Sequence, residues 1–212
     1  MDAHIPILKR AGMVLVVLGA CDLLAIRSGL FLLGAAAGVG LLLGSLQVAA
    51  LVRWAAAFGL CALAVMMLAW PLMQPVDLTL AQLKLQPRIL PSLITSATWM
   101  VLLHWLYRTL GAPAVLAAGH KPRDMGLAAA SGAALSLLLC VMLLLLLHGE
   151  AADHARLAAE RKFGPDYRYH VAALKVSASD KGKLVEGLVT AWNGKEIRTI
   201  PVAWQEDANG GR

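Results

Sequence analysis

The sequence predicts a polytopic α-helical membrane bundle of about five spans, carrying a small C-terminal three-stranded antiparallel β-meander on a helical stalk. Three observations lead there. The 212 residues are 59% hydrophobic and 15% charged, well beyond the apolar share of about 45–50% in soluble domains. Five apolar runs approach the roughly 20 residues that an α-helix needs to cross the hydrocarbon. After His148 the composition changes abruptly, first to Ala, Glu and Arg and then to alternating strand-like runs.

The predicted spans fall at residues 11–26, 29–52, 54–73, 91–107 and 125–148, within a transmembrane domain of residues 1–148. The fifth is almost pure Leu, "LSLLLCVMLLLLLH". "RSG" alone separates the first two and Arg53 alone the next two, so both connections must be tight turns; fusing or re-entering the first pair would give four crossings. With the N-terminus cytoplasmic, Lys9, Arg10, Arg53, Arg108, Lys121 and Arg123 collect inside, leaving Arg27, Lys84 and Arg88 outside. That asymmetry follows the positive-inside rule. An odd number of spans then delivers the C-terminal part to the far side, which in a bacterial inner membrane is the periplasm.

The loop from Gln74 to Pro91 is bounded by prolines. Asp77 is placed to cap a short helix with Thr79, Gln82 and Gln86 on its polar face, lying along the outer interface. Beyond the last span, residues 149–165 form the stalk, ended by Gly164-Pro165; at about 1.5 Å per residue its dozen or so helical residues beyond the membrane would lift the chain roughly 20 Å. Residues 166–206 make the β domain, with strands over 167–176, 183–192 and 195–204, and residues 207–212 are a flexible tail. Asn193-Gly194 signals a two-residue type I′ hairpin, which sets Trp192 opposite Lys195, Thr190 opposite Ile197 and Val185 opposite Val202. Gly182 is a candidate bulge in the "SASDKG" turn. Pro201 lacks a backbone donor, so its strand belongs at an edge. A sheet of this size cannot build a two-sided core alone. Trp192, Ile200, Val202 and Trp204 therefore form an interaction surface, to be covered by the protein's own surface, another copy or a partner.

Among residues able to carry chemistry, Asp22 and His104 are the intramembrane polar candidates. A carboxylate at the centre of a span costs about 2.5–3.5 kcal/mol on insertion scales and is a functional candidate by default. Gly34, Gly38, Gly40 and Gly44, with Ala128, Gly132 and Ser136 on the last span, place small residues at helix-packing spacing. "LGACD", residues 18–22 behind Lys9-Arg10, resembles a bacterial lipoprotein box. The resemblance implies cleavage before a lipidated Cys21, although the chain returns to the membrane at Gly29 where lipoproteins continue into a polar tether.

Cys21, Cys61 and Cys140 all lie in apolar runs, without the spacing of a zinc site or a disulfide framework. The six histidines are scattered. No phosphate-binding glycine loop, HExxH or GxSxG motif occurs. No metal, cofactor or nucleic acid is expected. The expected partners are the lipid bilayer and, through the β domain, another copy or a membrane protein. Enzymatic activity is the less favoured reading; the alternative to an anchor or assembly subunit is a small transporter or membrane enzyme built on Asp22.

Overall fold

A computed structural model describes residues 3–25, 30–86, 89–119, 124–179 and 182–206. Among the described residues eight helices and three strands occur in order: α1 Ile5–Ala25, α2 Leu30–Leu42, α3 Leu46–Met73, α4 Val76–Leu85, α5 Ile89–Leu110, α6 Pro113–Ala118, α7 Met125–Leu147, α8 Glu150–Phe163, then β1 Arg168–Ser179, β2 Gly182–Trp192 and β3 Ile197–Glu206. They form two compact units, one of Met1–Val65 with Ser96–Ser136, the other of Met66–Thr95 with Leu137–Arg212. The "RSG" connection, the residues 120–123 and the tail lie outside the described residues.

Helices α3 and α7 are each long and apolar enough to cross a membrane, and α4 with α5 meet the same criterion as a pair. Among the described residues two to three candidate spans thus stand where the sequence suggested about five. The difference lies in the first two and, at the lower count, in α5, which meets the criterion only together with α4, from which it is bent by 111°. Helix α1 carries Lys9 and Arg10 in its first half and Asp22 near its end, which leaves too short an apolar stretch between them. Helix α2 has 13 residues, about 20 Å at 1.5 Å per residue, against a hydrocarbon core of about 30 Å.

The predicted second span is broken at Gly44, not at Arg53. Gly44 takes φ +79°, its N–H donates to the Leu41 carbonyl, and the Ser45 N–H donates to the Gly40 carbonyl. This pair of bonds is a Schellman motif, in which a left-handed glycine satisfies the last helical carbonyls. Ser45 then opens α3, its Oγ accepting the Val48 N–H at 3.4 Å. Because only Ser45 and Gln47 interrupt the apolar flanks, composition alone does not reveal the turn. Arg53 lies inside α3.

In the first unit, α1 and α2 pack as an antiparallel pair at a crossing of two glycines. A Cβ on Gly38 would stand 2.8 Å from the Gly12 carbonyl oxygen, and one on Gly12 would stand 2.6 Å from the Gly38 oxygen. Leu8, Ala11, Leu41, Ala49, Ala56, Leu106, Leu110 and Val115 form the core of this unit. Gly132 of α7 meets the Phe58 carbonyl of α3, where a Cβ would come within 2.3 Å.

In the second unit the sheet has the order β1-β2-β3, which puts Pro201 on an edge strand. Helix α8 is not a free-standing stalk. Its Ala152, Ala155 and Ala159 are fully buried and share a core with Val171, Val189, Ala191 and Ile200, and Leu147 at the end of α7 packs against the same core. Alanines at this spacing make a flat helical face that lets the backbone approach the sheet closely. Gly164 ends α8 at φ +87°, and the Tyr169 hydroxyl donates to its carbonyl at 2.6 Å.

The hairpin register also differs. Trp192 pairs with Ile197, Thr190 with Thr199 and Val185 with Trp204, two residues from the expectation. Asn193 explains the wider loop: its Oδ1 accepts the N–H groups of Lys195 and Glu196, both at 2.9 Å, while its own N–H donates to the Glu196 carbonyl. A side chain that caps two donors favours a four-residue loop over the two-residue turn. A shift of two leaves every side chain on its original face. The bulge lies between Val171 and Ala173, not at Gly182, which pairs with Ser179.

Candidate functional site

The second unit gathers most of the described polar chemistry around its sheet. Alternation divides the sheet into two faces. One carries Val171, Val185, Val189, Ala191 and Ile200, all buried, and α8 covers much of it. The other carries His170, Glu186, Leu188, Thr190, Trp192, Ile197, Pro201 and Ala203.

This second face is closed at one end and bare at the other. At the closed end Thr190 and Trp192 are buried. There α4 lies against β3, and Asp77 binds Arg168, the cross-strand partner of Trp192. Asp77 is therefore a cross-element latch instead of a helix cap; Pro75 occupies the cap position of α4. Gln74 Nε2 reinforces the start of α4 by donating to Thr79 Oγ1 at 3.2 Å and to Gln82 Oε1 at 2.7 Å. At the bare end Leu184 and Leu188 are 41% and 44% exposed, and Ala173, Pro201 and Ala203 are exposed beside them. A Lys175–Glu186 ion pair at 3.6 Å crosses this surface.

The hairpin loop holds a second polar cluster. The Tyr167 hydroxyl donates to Glu196, whose other carboxylate oxygen accepts from Arg198 at 3.0 Å. The Tyr167 hydrogen bond, joined by that of Arg198, holds the Glu196 carboxyl below its ordinary range. In return the Glu196 bond, together with burial, pushes the Tyr167 phenol up. His170, half-buried on β1, is pushed below the ordinary histidine value by burial and by the nearby His148 and Arg156. Both effects favour the neutral imidazole.

Between the exposed side of α8 and β3 lies an open groove of about 350 Å³ lined by His154, Leu157, Ala158, Arg161, Ala203 and Trp204. The His154 and Trp204 rings stand 6.4 Å apart between centroids. The Trp204 Nε1 donor is buried without an acceptor.

The sequence-predicted residues fall in several places. Trp192 and Ile200 are buried, and Val202 and Trp204 are half-buried against the α8–sheet core. Of the coverings foreseen for them, the protein's own helix supplies that of Ile200, Val202 and Trp204. Asp22 lies on α1 with its side chain outside the described residues, and Cys21 beside it is exposed. His104 is exposed on α5. Gly38 and Gly132 sit at close helix approaches, a Cβ on Gly40 would meet Val48 at 2.9 Å, Gly44 forms the turn, and Gly34 faces open space. Sequence reasoning missed Gly12, the Asp77–Arg168 latch and the alanine face of α8. Of these only the last has a clear signal, the spacing of Ala152, Ala155 and Ala159. Among the described residues no group of three or more His, Cys, Asp or Glu side chains is placed to hold a metal ion.

Comparison with protein-family models, with curated proteins and with solved structures finds no match to this chain.

Proposed function

We propose that the chain is an integral membrane protein, of bacterial inner-membrane type, whose helical part anchors an extracytoplasmic α8–sheet unit used for interaction or assembly. The observation that carries this reading is the half-bare second face of the sheet. The unit already closes its first face with α8 and the far end of its second face near α4. What remains open is an apolar strip of Ala173, Leu184, Leu188, Pro201 and Ala203, crossed by one ion pair. Aliphatic surface of this kind, rimmed by charge, suits a protein contact. The partner is a membrane protein or a second copy of the chain.

Parity supports placing the sheet opposite the N-terminus. The antiparallel pair α1 and α2 adds either two crossings or none, and α3, α5 and α7 add three. With the α4–α5 pair counted as one crossing, three and five crossings leave the C-terminal unit on the same side, whereas α3 and α7 alone would put it on the side of the N-terminus. Lys9, Arg10, Arg53 and Arg108 then fall at the cytoplasmic ends of their helices, as the positive-inside rule favours.

Leu188→Asp tests the contact without touching the core. The substitution is expected to leave the unit folded, with a melting temperature close to that of the wild type, and to weaken association in detergent or in membranes by tenfold or more. That is the scale of an interface residue whose loss costs over about 1.4 kcal/mol. Association measured by chemical crosslinking that is unchanged in the variant would remove this face from the interface.

A further inference from the structure

A second site lies in the first unit, where one cation is held in place without an anion. Arg53 sits seven residues along α3 from Leu46, about 10 Å from the helix start at 1.5 Å per residue. Its guanidinium carbon stands 5.1 Å from the centroid of the Tyr107 ring, over its face. The opposite constraint is Gly111, where a Cβ would come within 3.2 Å of Nε and 3.3 Å of Nη2. The ring and the glycine thus form a cradle that fixes the planar group. Within it the Nε donor is buried and has no acceptor, which is unfavourable for a buried polar group. A built orientation with an unmet donor points to a ligand that supplies the acceptor.

The surroundings set the charge of that ligand. Among the described side chains of this unit Asp124 alone is acidic, and its Oδ1 is engaged by the Leu127 N–H at the start of α7. Arg108 follows Tyr107 directly. Lys9 and Arg10 lie between Leu8 and Ala11, which share one core with Ala49, Ala56, Leu106 and Leu110. Among the described residues the nearby side chains add positive charge and offer no carboxylate, which favours an anion from outside the chain as the acceptor.

We propose that Arg53, cradled by Tyr107 and Gly111, binds the phosphate of an anionic phospholipid headgroup at the end of the bundle where α2 gives way to α3. Guanidinium forks match phosphate oxygens in a planar, two-bond geometry. A depth of about 10 Å from the helix start suits a headgroup with its acyl chains in the bilayer, and exposed Leu43, Leu51 and Leu116 in the same unit offer aliphatic surface. The site rests on the membrane reading of the chain but not on the sheet contact or on which side the sheet faces.

The test is native mass spectrometry of the full-length protein in detergent, titrated with phosphatidylglycerol or phosphatidylcholine. The wild type is expected to retain phosphatidylglycerol preferentially. Arg53→Gln is expected to weaken that binding about tenfold, the scale of a lost charged hydrogen bond. Arg53→Lys keeps the charge and supplies a second variant if Arg53→Gln does not fold; it should lose most of the same affinity, because an ammonium offers no fork. Lys9→Gln removes one surface cation and is expected to change binding less than about twofold. Equal retention of the two lipids, or undiminished binding by both Arg53 variants, would overturn the site. Displacement of the lipid by millimolar inorganic phosphate would overturn the assignment to a lipid source. A chain that proves not to enter membranes at all would be recognised separately by its failure to sediment with them.

Discussion

Replacing Ala155 by Asp is expected to unfold the α8–sheet unit. Ala155 is fully buried at the centre of the face that α8 lays on the sheet, and no cation among its core neighbours is placed to receive a carboxylate. An unpaired charge in such a position costs about 3–5 kcal/mol, a large part of the 5–15 kcal/mol that a typical domain possesses. Limited proteolysis of the full-length protein in detergent reads the result. The β1–β2–β3 segment should become cleavable at protease levels that leave the wild type intact. Ala158→Asp, on the exposed groove side of the same helix, should change the digestion pattern little. Equal resistance of both variants would mean that α8 stands away from the sheet as a stalk.

The second large effect is expected at the α1–α2 crossing. In Gly38→Val the new Cβ would stand 2.8 Å from both the Gly12 carbonyl oxygen and Val16 Cγ2. Backbone is the obstacle, so a rotamer change cannot relieve it and the helices must separate. Overpacking of this kind costs about 1–3 kcal/mol and more where backbone must move. Gly34→Val is the internal control, because a Cβ at Gly34 meets nothing within 4 Å; its cost should stay within about 0.5 kcal/mol. Thermal melting of the two variants in the same detergent compares them directly. A Gly38 variant as stable as the Gly34 variant would contradict the close crossing.

These two sites show what could be read from the sequence and what could not. The Leu-rich α7, the three strands and the edge position of Pro201 were legible, because long apolar runs and period-two alternation are strong signals. The role of α8 was not. Alanine is both the best helix former and a small core residue, so Ala152, Ala155 and Ala159 read equally as solvent-exposed helix and as a buried face. The break at Gly44 was hidden for a related reason: the turn rests on backbone hydrogen bonds, and Ser45 alone beside Gly44 marks it within a long apolar run. Arg53 misled in the opposite direction. A lone cation between apolar runs suggests a loop, yet its long side chain reaches the Tyr107 ring while its backbone continues the helix. At Asn193 the dipeptide was recognised and its side chain was not; Oδ1 serving two N–H groups widened the loop by two residues and left the faces of the sheet unchanged. Of the four residues expected on an interaction surface, Ile200, Val202 and Trp204 pack with α8 and Trp192 is buried at the closed end of the other face. The apolar strip at Leu184 and Leu188 was missed because strand alternation alone does not say which face a neighbouring helix will cover.

The sheet unit should lie across the membrane from the N-terminal end of the bundle. In a variant lacking Cys21, Cys61 and Cys140, single cysteines introduced as Lys183→Cys on β2 and Ala117→Cys on α6 should be probed in intact cells with a membrane-impermeant maleimide. The predicted result is labelling at position 183 in intact cells and at position 117 only after permeabilisation. Labelling at 117 with protection at 183 would place the sheet in the cytoplasm and contradict its role as an extracytoplasmic contact.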